Sequence, residues 1–119
     1  MKNNINIAVV GLGQVGIYLL NELNSKKKDI ELKTGKIINV VAVSAKNINK
    51  KRRFKVNKKI FFKDPLEIFK LKNVDILFEA IGSSDGISKK VVETALANKI
   101  HVITPNKALI SKHGDYLAK

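Results

Sequence analysis

The chain contains no cysteine. That excludes disulfides, thiolate metal sites and cysteine nucleophiles. Its only two histidines, His101 and His113, are too few and too far apart to suggest a metal site. Aromatic residues are sparse at 6%, against 45% hydrophobic residues in all, which suits an aliphatic interior. No apolar run is long enough to span a bilayer. The N-terminus lacks the charged, apolar and small-residue zones of a signal peptide. The expected location is therefore the cytoplasm. There is no internal repeat and no low-complexity linker. With 119 residues the chain is about one domain long and can bury a core.

Acidic residues are also scarce: 10 Asp and Glu stand against 23 Lys and Arg, a formal charge of +13. Such a balance raises a nucleic-acid partner. Several features argue against it. The basic residues are nearly all lysine, with Arg52 and Arg53 the exceptions. Lys, Asn and Ile are abundant together, as an AT-rich coding bias would produce. No aromatics are interleaved to stack bases. A solvated lysine-rich surface is the preferred reading, with neither a nucleic acid nor a membrane as partner. The charge concentrates in Lys46–Lys63.

What the chain does have is the segment Ile5–Gly16, INIAVVGLGQVG. Ile7, Ala8, Val9 and Val10 read as a buried strand. They run into Gly11-Leu12-Gly13-Gln14-Val15-Gly16, and a helical pattern follows at once. Strand, glycine turn and helix N-terminus in that order suit a dinucleotide pyrophosphate. Gly11 allows the tight turn. Gly13 lets the backbone approach the phosphates. Gly16 lets the helix pack on the strand. The N–H groups and dipole of the helix then face the anion. The plain alternative is a structural strand-to-helix turn.

Further along, the patterns predict a helix from Val15 to about Lys27 and a polar connection over Asp29–Lys36. A buried strand, Ile37–Val43, follows. Ser44–Lys59 reads as a basic surface excursion. Ile60–Phe62 reads as a short strand. Asp64-Pro65 opens a helix with Leu66, Phe69 and Leu71 on its inner face. Val74–Ile81 is the next strand, and Gly82–Gly86 a loop of turn residues. A helix from Ile87 to about Asn98 turns Val91, Val92, Ala95 and Leu96 inward. Ile100–Ile103 is the last strand, and Thr104-Pro105 caps a helix from Asn106 to about Leu117. Strands alternating with helices predict an α/β fold, a doubly wound parallel sheet, with one domain over residues 1–119.

In such sheets ligands sit beyond the carboxyl ends of the strands. Four groups fall there: Gly11–Gly16, Ser44-Ala45-Lys46, Gly82-Ser83-Ser84 and Thr104-Pro105-Asn106-Lys107. The second is the most discriminating. NAD enzymes usually carry Asp or Glu at the end of the second strand, to accept from the ribose 2′-OH. Here Ser44 and Lys46 could bind a 2′-phosphate, so NADP is preferred over NAD. Alternatively Lys46 is an ordinary loop charge. Lys107, at the start of a helix, sits where the dipole disfavours a cation, which points to an anionic or carbonyl partner. A side chain that snorkels into solvent would explain it too. For Glu79, late in a strand, structural hydrogen bonding is the better reading. The two histidines read as structural or exposed.

Together these residues resemble the N-terminal nucleotide-binding part of homoserine dehydrogenases. The resemblance rests on Val9–Gly16, on Val40–Lys46, on Asp75–Gly82, on His101–Ile110 and on His113-Gly114. It runs in order over nearly the whole chain. GxGxxG is shared by many dehydrogenases, while Thr-Pro-Asn-Lys-Ala-Leu is far more specific. The resemblance implies NAD(P)-dependent interconversion of L-homoserine and L-aspartate 4-semialdehyde, on the route to threonine and methionine. It implies that Gly11, Leu12, Gly13, Gln14, Val15 and Gly16 hold the pyrophosphate. Ser44 and Lys46 would lie near the adenosine ribose, and Gly82 and Ser83 beside the nicotinamide ribose. Thr104, Asn106 and Lys107 would lie beside nicotinamide and substrate, with Lys107 as the catalytic or substrate-orienting residue. Two positions depart: Ala80 where the family often has a larger aliphatic residue, and Lys46 where arginine is common. The family's substrate-binding and dimerisation region, with an acidic residue and a second lysine, follows the last helix seen here. The full enzyme would be a homo-oligomer. The chain itself is expected to be an isolated domain or a truncated product that binds cofactor and turns over homoserine poorly or not at all. A non-catalytic nucleotide sensor is the alternative; the Lys107 block favours the enzyme.

Overall fold

Ile7, Ala8, Val9 and Val10 are apolar on both alternating faces because they run through the middle of the molecule. They belong to β1 (Asn4–Val10), the central strand of a five-stranded sheet. The computed structural model describes residues 3–45, 56–81 and 86–104. β1 is followed by α1 (Gln14–Thr34), β2 (Ile37–Ser44), β3 (Phe61–Phe62), β4 (Ile76–Glu79), α2 (Ile87–Ala97) and β5 (His101–Ile103). The strand order is β3-β2-β1-β4-β5, and every pair is parallel. This is the doubly wound arrangement expected from the alternation of strands and helices. It brings all the strand exits to one edge.

The two sheet faces carry separate cores. Ala8 and Val10 point to the side covered by Ile68 and by Val91 and Ala95 of α2. Ile7 and Val9 point to the other side, where Leu20 of α1 packs. Period-two alternation along β1 thus supplies both.

α1 is longer than expected. It continues through the predicted connection to Thr34 and stops at Gly35, which adopts the left-handed conformation (φ 73°) and donates its N–H to the Glu31 carbonyl. Past Lys27 the helix rests less on the sheet than on its own surface. There Lys33 pairs with Asp29 at 3.1 Å, as Lys26 pairs with Glu22 at 2.7 Å one turn before it. Thr34 Oγ1 donates to the Ile30 carbonyl at 2.7 Å. The hydrogen bond and charge of Glu22 hold the Lys26 ammonium above its ordinary pKa.

The predicted helix at Asp64-Pro65 is a 3₁₀ segment, Pro65–Lys70. Asp64 caps it as expected, accepting from the Leu66 N–H at 3.0 Å. Its deepest residue is Ile68, fully buried, while Leu66, Phe69 and Leu71 pack around the same core half-buried. β4 is four residues long, shorter than the predicted Val74–Ile81. Its flanks still bond to β1, Asp75 N–H to the Asn6 carbonyl and Ala80 N–H to the Val10 carbonyl. Ile60 closes a 3₁₀ turn instead of opening β3. In α2, Val91, Val92 and Ala95 are buried as expected and Leu96 is half-buried. The predicted helix from Asn106, and most of the basic excursion, lie outside the described residues. Among the described residues no helix is long and apolar enough to cross a membrane.

Candidate functional site

The carboxyl edge of the sheet is built around the turn between β1 and α1. Gly11 has φ 97°, which side chains rarely adopt, and a Cβ there would lie 2.6 Å from the carbonyl carbon and oxygen of Ala80. Its N–H donates to the Ser44 carbonyl at 2.8 Å. The turn is therefore held between the exits of β2 and β4. Leu12 is buried and anchors the turn in the core beside Val9 and Leu20. A Cβ on Gly16 would fall 2.0 Å from the Gly11 carbonyl oxygen, so the first turn of α1 lies directly on the glycine turn.

Gly13 is different. Nothing lies within 4 Å of where its Cβ would be. It is the N-cap of α1, no side chain caps that end, and no acidic residue stands in the first turn. Gly13, Gln14 and Val15 are exposed. Two glycines pack against protein and the third faces open ground in front of a helix N-terminus. The donors there are backbone N–H groups and the field is positive, a fit for a phosphate-bearing ligand.

The other strand exits place their residues around this turn. Ser44 ends β2 opposite Val10, is 2% exposed, and gives its carbonyl to Gly11. No carboxylate ends β2. Glu79 ends β4, also opposite Val10, and is wholly buried. Its Oε2 accepts from the Ile81 N–H at 2.6 Å, and its Oε1 from Thr104 Oγ1 at 2.8 Å. Thr104, just beyond β5, is half-buried. Hence Gly11, Leu12, Gly13, Gln14, Val15, Gly16, Ser44 and Thr104 all stand at one edge. Lys46, Gly82, Ser83, Asn106 and Lys107 lie outside the described residues.

His101 starts β5 at the opposite edge and is exposed, in line with the reading of it as structural or exposed. Among the described residues no group of three His, Asp or Glu comes together. A hollow of about 210 Å³ between α1 and β2, lined by Leu20, Leu23, Val40 and Val56 among others, contains none of the turn residues. Sequence reasoning gave Glu79 a structural hydrogen bond without naming its partners. The pairing with Thr104 spans 25 residues and becomes visible only through the β4–β5 register. The available signal was an acid closing a buried strand, with a threonine closing the next.

Comparison with known proteins agrees with this geometry. Residues 11–119 match the family model described as "Homoserine dehydrogenase, NAD binding domain". The homoserine dehydrogenase of Neisseria gonorrhoeae is 32% identical over 111 residues, covering 93% of this chain and 25% of that protein. The Bacillus subtilis enzyme is 26% identical, with 95% of this chain and 26% of that protein covered. Among solved structures, homoserine dehydrogenase of S. aureus superposes with a TM-score of 0.87 at 31% identity, covering 96% of this chain and 29% of that one. The Thiobacillus denitrificans enzyme gives 0.85 at 29% identity, with 97% and 26% covered. The chain spans about a quarter of the length of the curated relatives it matches.

Proposed function

This chain belongs to the family of homoserine dehydrogenase NAD-binding domains, and from that premise we propose that residues 1–119 bind the nicotinamide dinucleotide of such an enzyme. The observation that carries the reading is the division of labour among three glycines. Gly11 and Gly16 are locked against backbone, while Gly13 is open before an uncapped helix N-terminus. A pyrophosphate fits that ground, held by backbone N–H groups of the segment Gly11–Gly16.

The enzyme of which this is a part would interconvert L-homoserine and L-aspartate 4-semialdehyde, in a homo-oligomer located in the cytoplasm. The bound dinucleotide supplies the hydride donor or acceptor for that reaction. This chain's residues bind and orient it. Gly82, Ser83, Thr104, Asn106 and Lys107 would line its nicotinamide half, with Lys107 orienting the substrate.

NADP is the preferred cofactor in this proposal. A carboxylate ending β2 would repel a 2′-phosphate, and that place holds Ser44. Ser44 is buried and its carbonyl is taken by Gly11, so the charged part of the contact falls to Lys46. Calorimetric titration of NADP(H) and NAD(H) tests the whole reading. Binding tighter than millimolar, about −4 kcal/mol, is expected for NADP(H). Lys46→Ala should weaken NADP(H) and leave NAD(H) unchanged. If neither dinucleotide binds, the cofactor reading fails; if Lys46→Ala leaves NADP(H) affinity intact, the 2′-phosphate contact fails.

A further inference from the structure

The hollow between α1 and β2 lies on the sheet face that α1 covers, apart from the glycine turn. Its floor is apolar. Leu20 and Val43 are buried there, and Ile38, Val40, Val56 and Ile60 are half-buried. Water finds few hydrogen-bond partners on such a floor. An apolar cavity of about 150 Å³ stays dry and binds benzene. On that scale about eight non-hydrogen atoms would fill the 210 Å³ of this hollow.

The sequence of α1 leaves this space open. Leu20, Asn24 and Lys27 share one helix face, at spacings of four and three. All three line the hollow, and the stripe turns from apolar to polar while the strand wall of Ile38 and Val40 stays apolar. A leucine at position 24 would close the gap. Among the described residues Lys27 is the one charged side chain in the lining, and no acid lines it. Lys26, Lys33, Lys70 and Lys89 each pair with an acid three or four residues away. Lys27 has no acid partner among the described residues. Asn57, also in the lining, spends its amide oxygen on the Lys59 N–H at 2.9 Å, which leaves the NH₂ as its remaining polar group. Asn24 adds a second amide.

We propose that this hollow is a second small-molecule site, and that it takes a short aliphatic monocarboxylate. The apolar body lies on Leu20, Val40 and Val43, and the carboxylate pairs with Lys27, with the amides of Asn24 and Asn57 beside it. Both halves of the ligand are read from the lining: an apolar floor and a single cation without an acid. The same lining selects against free amino acids. Their α-ammonium group would enter a site that holds a lysine and no carboxylate to receive it. The inference does not rest on the cofactor reading, because none of the residues of the glycine turn lines the hollow. The two ligands would therefore bind side by side.

The test is a titration of the 119-residue chain with 4-methylpentanoate, followed through the NMR signals of the Leu20, Val40 and Val43 methyl groups. Saturable shifts with Kd of about 1 mM or tighter are expected. Three further probes define the class. 4-Methylpentanamide keeps the body and loses the charge, acetate keeps the charge and loses the body, and leucine adds the α-ammonium group. The amide and leucine should each bind at least about fivefold more weakly than 4-methylpentanoate, and acetate should not saturate. Lys27→Gln, at an exposed position, should weaken 4-methylpentanoate by about fivefold, the upper range for a solvent-accessible ion pair. Asn24→Leu should abolish binding and raise the melting temperature. Saturating NADPH should leave the affinity unchanged. The inference is overturned if the lining methyls show no saturable shift up to about 10 mM. It is overturned equally if the amide or leucine matches 4-methylpentanoate, if Lys27→Gln binds as the wild type does, or if NADPH displaces the ligand. The cofactor reading stands in each of those cases, since NADPH affinity is measured separately.

Discussion

Gly16 lies so close beneath Gly11 that a Cβ added to it would stand 2.0 Å from the Gly11 carbonyl oxygen. The obstacle is backbone, in a turn held on one side by the Ser44 carbonyl and on the other by Ala80. It cannot move aside as a flexible side chain would. Gly16→Ala should therefore force α1 off the turn and destabilise the fold by about 1–3 kcal/mol or more. Gly11→Ala combines a backbone contact of 2.6 Å with φ 97° and should cost at least as much. Urea unfolding with an unchanged slope would read both losses directly.

Gly13→Ala should behave in the opposite way. Its φ of −77° suits any residue and no atom lies within 4 Å of the new methyl. Stability should change by less than about 1 kcal/mol, the scale of an N-cap effect. The methyl would project into the ground where a pyrophosphate would sit, so dinucleotide affinity should fall at least tenfold. Unfolding and calorimetry on the same sample separate the two effects. A stable variant with full affinity would place the phosphates elsewhere.

The core makes a third prediction. Ile68→Ala should cost about 2–5 kcal/mol, the range for emptying a fully buried aliphatic site. Leu96→Ala, at a half-buried position, should cost clearly less. The ranking runs against the sequence pattern, which placed Leu96 on the inner face and passed over Ile68. Thermal or denaturant unfolding of the two variants gives the order.

That reversal shows where local pattern stops carrying information. β1 was legible because both of its faces are buried, which leaves a continuous apolar run ending at a glycine turn. The turn was legible because Gly11 and Gly16 each answer a separate steric demand. The segment after Asp64 was harder. An apolar spacing of three, Leu66 to Phe69, fits an α-helix and a 3₁₀ segment alike, and the two differ in which residue faces the core. The end of α1 was hidden because beyond Lys27 the helix runs with little apolar support, and its stop depends on Gly35 closing on Glu31. At the candidate site, the bond between Glu79 and Thr104 needs strand register that no local window contains.

Salt should separate the two cofactors. A 2′-phosphate bound by Lys46 adds a charge pair that NAD lacks, and exposed charge pairs weaken as the Debye length shortens from about 10 Å at 0.1 M to about 3 Å at 1 M. The ratio of NADP to NAD affinity should therefore shrink across that range. In Lys46→Ala the ratio should be near one and insensitive to salt. A ratio that persists at 1 M salt in the wild-type chain would mean that selectivity comes from shape or neutral hydrogen bonds.

Binding and turnover should also separate. The segment matched here covers about a quarter of the homoserine dehydrogenases it resembles. The resemblance assigns it Lys107 and the cofactor contacts. It assigns an acidic residue and a second lysine to the family's substrate-binding region. On the proposed reading the dinucleotide is held at the carboxyl edge of this sheet, whose turn is braced by Ser44, Ala80 and Glu79. Hydride and proton transfer ask for reacting groups held within about 3–3.5 Å of one another. A polypeptide of these 119 residues should accordingly bind NADPH while oxidising homoserine at a negligible rate, followed by NADPH absorbance at saturating substrate. Steady turnover by that polypeptide would show that this chain supplies the proton-transfer groups itself. Lys107→Ala would then be the first variant to examine.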